Sequence, residues 1–491
     1  MNTNTKVEET NDTGVSRSVK NKRLPYLLDA VIIVVMGVLM YCGASWQIFR
    51  PYTDVAKYQC YAAAFLHGMS SVKSYPASQC SFIFHTYGQT YTNARIANSL
   101  RDKYHAPDVL VNFVASQDLT DSFHALPHEY PILTLIPFTL ALFAPQHWYQ
   151  VAFALLMILL AAGMYIALLR FKSRKTAIAG AALLVIGGWA TVAGRFDLIP
   201  SLLTLATLIL AERKRWNWAF IALALAFLIK FYPATLLIPL LFAQQLDSHE
   251  KWLSWRRWQP LATFIGVCIV VMAVSFLLNV EGTIAPLSYF QTRPIQVESF
   301  GSSLIWLSTF VKYHPMTYMF TYGSLNVSHV YSSLIARGET VLTVVGLLYT
   351  YWLQWRKKID LSTSTLLTLL IVMVTGKVFS PQYLIWVVPL VAYVGGSDIR
   401  WFITWVAICG LTTFIYPFIY NMPASGSIMD VPLVPWFYPI VTLRNFILFG
   451  FVVSLLVYCT RKQPQPALAV IPEKPEPGAS EAVSVDGAVP D

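Results

Sequence analysis

Apolar runs of about 20 residues, joined by short polar connections, recur along nearly the whole chain, and a helix of that length spans the roughly 30 Å hydrocarbon core of a bilayer. The runs are continuous rather than alternating, so they read as helices and not as barrel strands. The expected spans are 26–48, 148–169, 176–193, 197–211, 217–230, 233–244, 259–280, 338–354, 361–375, 383–396, 401–419 and 438–460. Another apolar segment, Tyr130 to Ala144, is short and holds Pro131 and Pro137. The first run follows a polar tail without a small-residue cleavage site and reads as a retained span rather than a cleaved signal. The pattern predicts an all-α, polytopic integral membrane protein with about twelve transmembrane helices. Juxtamembrane helices are expected in a large polar loop, 49–129. One membrane domain covers 25–462, between a polar tail (1–24) and a Pro/Ala-rich acidic tail (463–491) that reads as disordered.

Composition supports this reading. Of 491 residues, 56% are hydrophobic and only 12% charged, against about a quarter charged in a soluble domain. The net charge of +10 fits Lys and Arg in cytoplasmic loops beside anionic headgroups, so no nucleic-acid partner is expected. Basic clusters at Lys20–Arg23, Arg170–Lys175, Arg213–Arg215, Lys251–Arg257, Arg356–Lys358 and Arg461–Lys462 share one side. That side is taken as cytoplasmic and holds both termini. The parity requires residues 130–144 to enter and leave on the outer side. Cys60 and Cys80 share the large outer loop and could pair in an oxidising compartment.

The remaining ionisable residues gather on that outer side. The large loop opens with Arg50-Pro51-Tyr52-Thr53-Asp54 and closes with His128-Glu129-Tyr130-Pro131. Span ends add Gly194-Arg195-Phe196-Asp197, Lys230-Phe231-Tyr232-Pro233, Arg293 to Ser299 (with Glu298) and Gly376-Lys377 to Tyr383 (with Gln382). A charge between two apolar runs needs a partner, which makes Arg195, Lys230 and Lys377 functional candidates. Several cations on one face suit a phosphate-bearing ligand. Asp54, tethered at the membrane surface by Pro51, can act as a general base; otherwise it caps a helix over Val55 to Leu66. Asp197 could likewise cap the span that it begins, with Arg195 as its ion-pair partner. His128 and Glu129, with Asp54, could supply metal ligands, but there is no HExxH helix and no metal or other cofactor is expected.

These segments, in this order, resemble a GT-C-type membrane glycosyltransferase of the bacterial polyprenyl-phosphate-mannose-dependent branch that includes the phosphatidylinositol-mannoside enzymes. The resemblance runs from about residue 30 to 460 and implies a GT-C fold in the bacterial cell membrane. It also implies inverting transfer, on the extracytoplasmic side, from a polyprenyl-phosphate sugar donor to a glycolipid or glycan acceptor. By the same analogy Asp54 is the base, and Arg195, Lys230, Arg293 and Lys377 are the candidates for the donor phosphate. His128, Glu129, Asp197, Glu298, Gln382 and Tyr383 would meet sugar or acceptor. The family often has two prolines after the Glu-Tyr pair, whereas Ile132 follows Pro131 here. A transporter or flippase of a lipid-linked substrate is the reading from another class, but transporters usually show repeats and sites near the bilayer midplane. A non-catalytic scaffold is a third reading, which the same residues support less well.

Overall fold

The structure is a computed structural model that describes residues 24–45, 48–83, 92–118, 120–312, 314–396 and 398–461. The polar tail up to residue 23 and the acidic tail from 463 lie outside the described residues. Each expected span coincides with a helix: Leu24–Ala44 (α1), Tyr149–Phe171, Arg174–Gly188, Leu198–Glu212, Trp216–Ile229, Leu237–Asp247, Trp255–Leu278, Ser332–Trp355, Leu361–Val374, Tyr383–Gly395, Ile399–Thr413 and Phe437–Arg461. Among the described residues five stretches of helix, Tyr26–Ala44, Gln146–Phe171, Trp255–Leu278, Ile399–Asn421 and Phe437–Arg461, are long and apolar enough to cross a membrane. The bundle packs closely where small residues allow it. A Cβ on Gly187 would lie 2.7 Å from Cys409 Sγ and 3.1 Å from a Leu384 methyl, so three helices meet at this point. Asp29 is a carboxylate buried within α1, and it is matched rather than left bare. Arg174 donates to both of its oxygens, at 2.9 and 2.8 Å, and the Tyr165 hydroxyl donates at 2.8 Å.

The loop after α1 is helical. Helix α2 (Asp54–His67) begins because the Thr53 side chain accepts from Ala56 N, satisfying an otherwise orphaned donor. It stops at Gly68, whose φ of +77° is a backbone state that L side chains rarely adopt. Cys60 of α2 is disulfide-bonded to Cys80. Residues 132–143 form short helical turns that pack beneath α2, where Phe138 stacks on Tyr58 at 4.2 Å. Farther along, Asn93 and Glu281 exchange two backbone-to-side-chain bonds (2.8 and 3.0 Å), while Gln117 bridges Val280 N and Phe276 O. The loop is thereby docked on the helix end near residue 278.

The all-α, polytopic architecture is as expected, with two local additions: an apolar helix at Phe300–Val311 and three short strands. Strands β1 (Ile295–Gln296), β2 (Thr317–Thr321) and β3 (Ser324–Ser328) form an antiparallel sheet in the order β1-β3-β2. The β2–β3 turn is Tyr322-Gly323, with φ of +54° and +63°. Positive φ at both positions is the two-residue hairpin geometry that matches strand twist. Ile295, Val297, Leu325 and Val327 bury against Ile415 and Phe437, which seats the sheet on the bundle.

The disulfide yields a stability prediction. The double variant Cys60→Ser/Cys80→Ser should lose about 2–4 kcal/mol of unfolding free energy. Thermal unfolding with and without reductant checks this: reductant should lower the Tm of the parent protein and leave the variant unchanged.

Candidate functional site

Three consecutive residues organise the site. After the turn at Val192–Gly194 the backbone is extended at Arg195 (φ −139°, ψ 139°), so successive side chains leave on opposite sides. Arg195 Nη2 pairs with Asp54 Oδ2 in the first turn of α2. Phe196 is fully buried and sets its ring edgewise against Tyr130, Phe138 and Tyr58, at 5.0, 5.5 and 5.6 Å. Asp197 is buried and pairs through Oδ1 with Lys230 Nζ. Trp386 Nε1 donates to that same oxygen at 2.5 Å. The Lys230 ammonium also lies 4.8 Å from the Trp386 ring and 5.1 Å from the Phe196 ring. Tyr232 and Tyr383 both stack on Trp386, at 4.2 and 3.8 Å.

This arrangement replaces two local expectations. Asp197 sits at the N-cap position of its helix without a side-chain cap bond, and its partner is Lys230 rather than Arg195. Thr53, not Asp54, caps α2, which leaves Asp54 engaged with Arg195.

The opposite wall comes from residues 293–298 and 376–383. Lys377 Nζ donates to Arg293 O at 3.1 Å, and Gln296 N donates to Lys377 O at 2.9 Å. Ser380 Oγ donates to Gln382 Oε1 at 2.6 Å. Glu298 Oε1 accepts from Tyr420 OH at 2.9 Å and Oε2 from Arg444 Nη1 at 3.4 Å. Burial pushes the Glu298 carboxyl up, against the lowering pull of Arg444. Arg444, itself buried, also donates to Glu298 O at 2.6 Å and lies 4.0 Å from the centre of the Phe379 ring. Between the walls is a cavity of about 520 Å³. Tyr416, in a π-turn that interrupts the helix after Thr413, faces it together with Tyr420, and the hairpin tip closes one side.

Of the expected residues, Asp54, Glu129, Arg195, Asp197 and Lys230 line this cavity, as do Arg293, Glu298, Gln382 and Tyr383. Lys377 and His128 stand outside the lining. Burial lowers the His128 imidazole from 6.5 to about 4, and its Nδ1 has no hydrogen-bond partner among the described residues. Among the described residues no three His, Cys, Asp or Glu side chains assemble as metal ligands, so His128, Glu129 and Asp54 do not form a set. A larger open cleft, about 1010 Å³, surrounds Lys214, Asp247 and Arg256. It lies past the other end of the Leu198–Glu212 helix, lined by connecting loops and the helix ends beside them. The smaller cavity, where buried ion pairs from five segments converge, is the better candidate.

Sequence reasoning missed Lys57, Arg444 and the hairpin. Lys57 follows Asp54 by three residues, a spacing that places both on one helix face. Arg444 is an arginine inside an apolar run, itself a signal. The hairpin was marked by Tyr322-Gly323 between two short strand-like segments.

Two outcomes follow. Arg444→Met leaves Glu298 buried without its cation and should cost about 3–5 kcal/mol in thermal or denaturant unfolding, with Glu298→Gln recovering part of the loss in the double variant. His128 has a folded pKa below its unfolded value, so its contribution is complete above about 6.5 and is lost as pH falls towards about 4. His128→Gln should flatten the stability profile in that window.

The model of glycosyltransferase family 87 matches residues 130–381, a stretch that includes Arg195, Lys230, Arg293 and Lys377 but not Asp54, Gln382 or Tyr383. No curated protein matches the chain. With apolar helices throughout and a polar cavity at one end of the bundle, the chain belongs to glycosyltransferase family 87 and is a polytopic membrane glycosyltransferase.

Proposed function

We propose that the protein is an inverting hexosyltransferase that moves a sugar, mannose in the first instance, from a polyprenyl-phosphate donor to a hydroxyl of a glycolipid or glycan acceptor. The observation that carries this reading is the setting of Asp54. Arg195 holds its Oδ2, while Oδ1 has no hydrogen-bond partner among the described residues, and the side chain lines a cavity large enough for a sugar ring. A carboxylate fixed by one oxygen and open at the other is suited to accept a proton from an incoming hydroxyl.

In this mechanism Asp54 takes the acceptor proton as the hydroxyl oxygen attacks the anomeric carbon of the donor. The bond from that carbon to the phosphate oxygen breaks, and its electron pair leaves with the polyprenyl phosphate. A single displacement inverts the anomeric centre. Negative charge grows on the departing phosphate, so cations already in place stabilise the transition state more than the ground state. Arg195, Lys230 and Arg293, which line the cavity, and Lys377, outside its lining, are the candidate cations for that environment. Glu129, Glu298, Gln382 and Tyr383 would meet hydroxyls of sugar or acceptor, with Tyr383 and Trp386 offering stacked rings. Asp197, in the lining, would hold Lys230 and Trp386 in place on that side, and His128 would support it from outside the lining. No cofactor enters the reaction.

The reaction is assigned to the extracytoplasmic face of a bacterial cell membrane, with both termini cytoplasmic. The distribution of Lys and Arg supports that orientation, as does a disulfide beside the site, since such bonds persist in oxidising compartments. In purified protein, Asp54→Asn should lower transfer from a radiolabelled polyprenyl-phosphate mannose by about 10²–10⁴-fold while donor binding is retained. Undiminished turnover in this variant contradicts the assignment of the base.

A further inference from the structure

The cations of the cavity are not equivalent. Arg195 is paired with Asp54 and Lys230 with Asp197, so each contributes to a pair of zero net charge. Lys377 donates to the Arg293 carbonyl and stands outside the lining. Lys57 does line the cavity, is only half-buried, and forms no ion pair among the described residues. Its ammonium is 5.4 Å from the centre of the Phe82 ring. The hairpin tip approaches from across the cavity: a Cβ built on Gly323 would lie 3.5 Å from Lys57 Nζ. The left-handed backbone at Tyr322 and Gly323 thus brings main chain, rather than a side chain, towards the ammonium.

A cation left without a carboxylate, between an aromatic ring and a glycine backbone, has charge to spare for an anionic ligand. Ser81 and Ser324 line the same cavity and can donate to further phosphate oxygens. Because Lys57 and Asp54 share one turn of α2, the rigid helix sets the separation between proton acceptor and cation. We propose that Lys57 contacts the phosphate of the donor, and that Arg195 and Lys230 act chiefly by holding Asp54 and Asp197 in place. This inference rests on the polyprenyl-phosphate reading above and adds a phosphate-contacting residue to it.

The test uses the purified full chain in detergent, with geranyl phosphate as a soluble anionic probe and polyprenyl-phosphate mannose as substrate. Lys57→Ala should weaken geranyl phosphate binding, and raise the donor KM, by at least about tenfold, with acceptor KM unchanged. Lys57→Arg should restore most of the binding. Lys73→Ala, an exposed cation of the same loop, should match the parent protein. Equal geranyl phosphate binding by Lys57→Ala and the parent overturns the inference, as does an equal loss in Lys73→Ala. If Lys57→Ala loses the probe but the parent transfers no sugar from any polyprenyl phosphate, the anion site stands and the proposed donor fails. If the parent binds no geranyl phosphate, the inference fails.

Discussion

The site depends on the matching of charge across segments that are distant in sequence. A bare ion among apolar helix ends costs several kcal/mol, so each of the charges at Asp54, Arg195, Asp197 and Lys230 is met by an opposite one. Asp54 and Arg195 tie the first loop to the start of the Leu198–Glu212 helix; Asp197 and Lys230 tie that helix to its neighbour. Phe196, between the two pairs, locks the stretch into the aromatic cluster under α2. One short extended segment therefore sets the position of the candidate base.

The second wall follows the same logic with a different division of labour. Arg444, deep in the last helix, satisfies both the carboxylate and the carbonyl of Glu298 and faces Phe379. It fixes two loops at once without lining the cavity. The sheet adds a third element: β1 and β3 bring the hairpin tip over the opening, and the Val297 N to Leu325 O bond (3.1 Å) continues the pairing past β1. The cavity is thus framed by parts of the chain that are short, polar and non-spanning, on a bundle that supplies rigidity.

Much of the scaffold was legible in the sequence because its signal is local. Each apolar run from 26 to 460 is a helix, since a continuous run has no other way to satisfy its backbone in lipid. The Phe300–Val311 helix and the hairpin escaped notice because they are short and lie in a stretch of mixed polarity. The site was legible as a set of motifs but not as a set of contacts. Nothing local indicates that Arg195 would choose Asp54 over Asp197, two residues away. That choice is made by tertiary packing, which brings the first turn of α2 to Arg195 and Lys230 to Asp197. Lys57 carries no sequence signal of its own because a lysine in a polar loop is usually solvated; its significance appears only once Arg195 and Lys230 are seen to be paired with carboxylates.

The proposed chemistry turns on a single displacement at the donor's anomeric carbon with Asp54 as the base. The most direct measurement is the anomeric configuration of the product formed by the purified protein from a polyprenyl-phosphate sugar of known configuration, read by NMR. Single displacement gives a glycoside of inverted configuration with release of polyprenyl phosphate. Retained configuration requires a covalent or paired displacement that this arrangement of residues does not provide, and it would contradict the account.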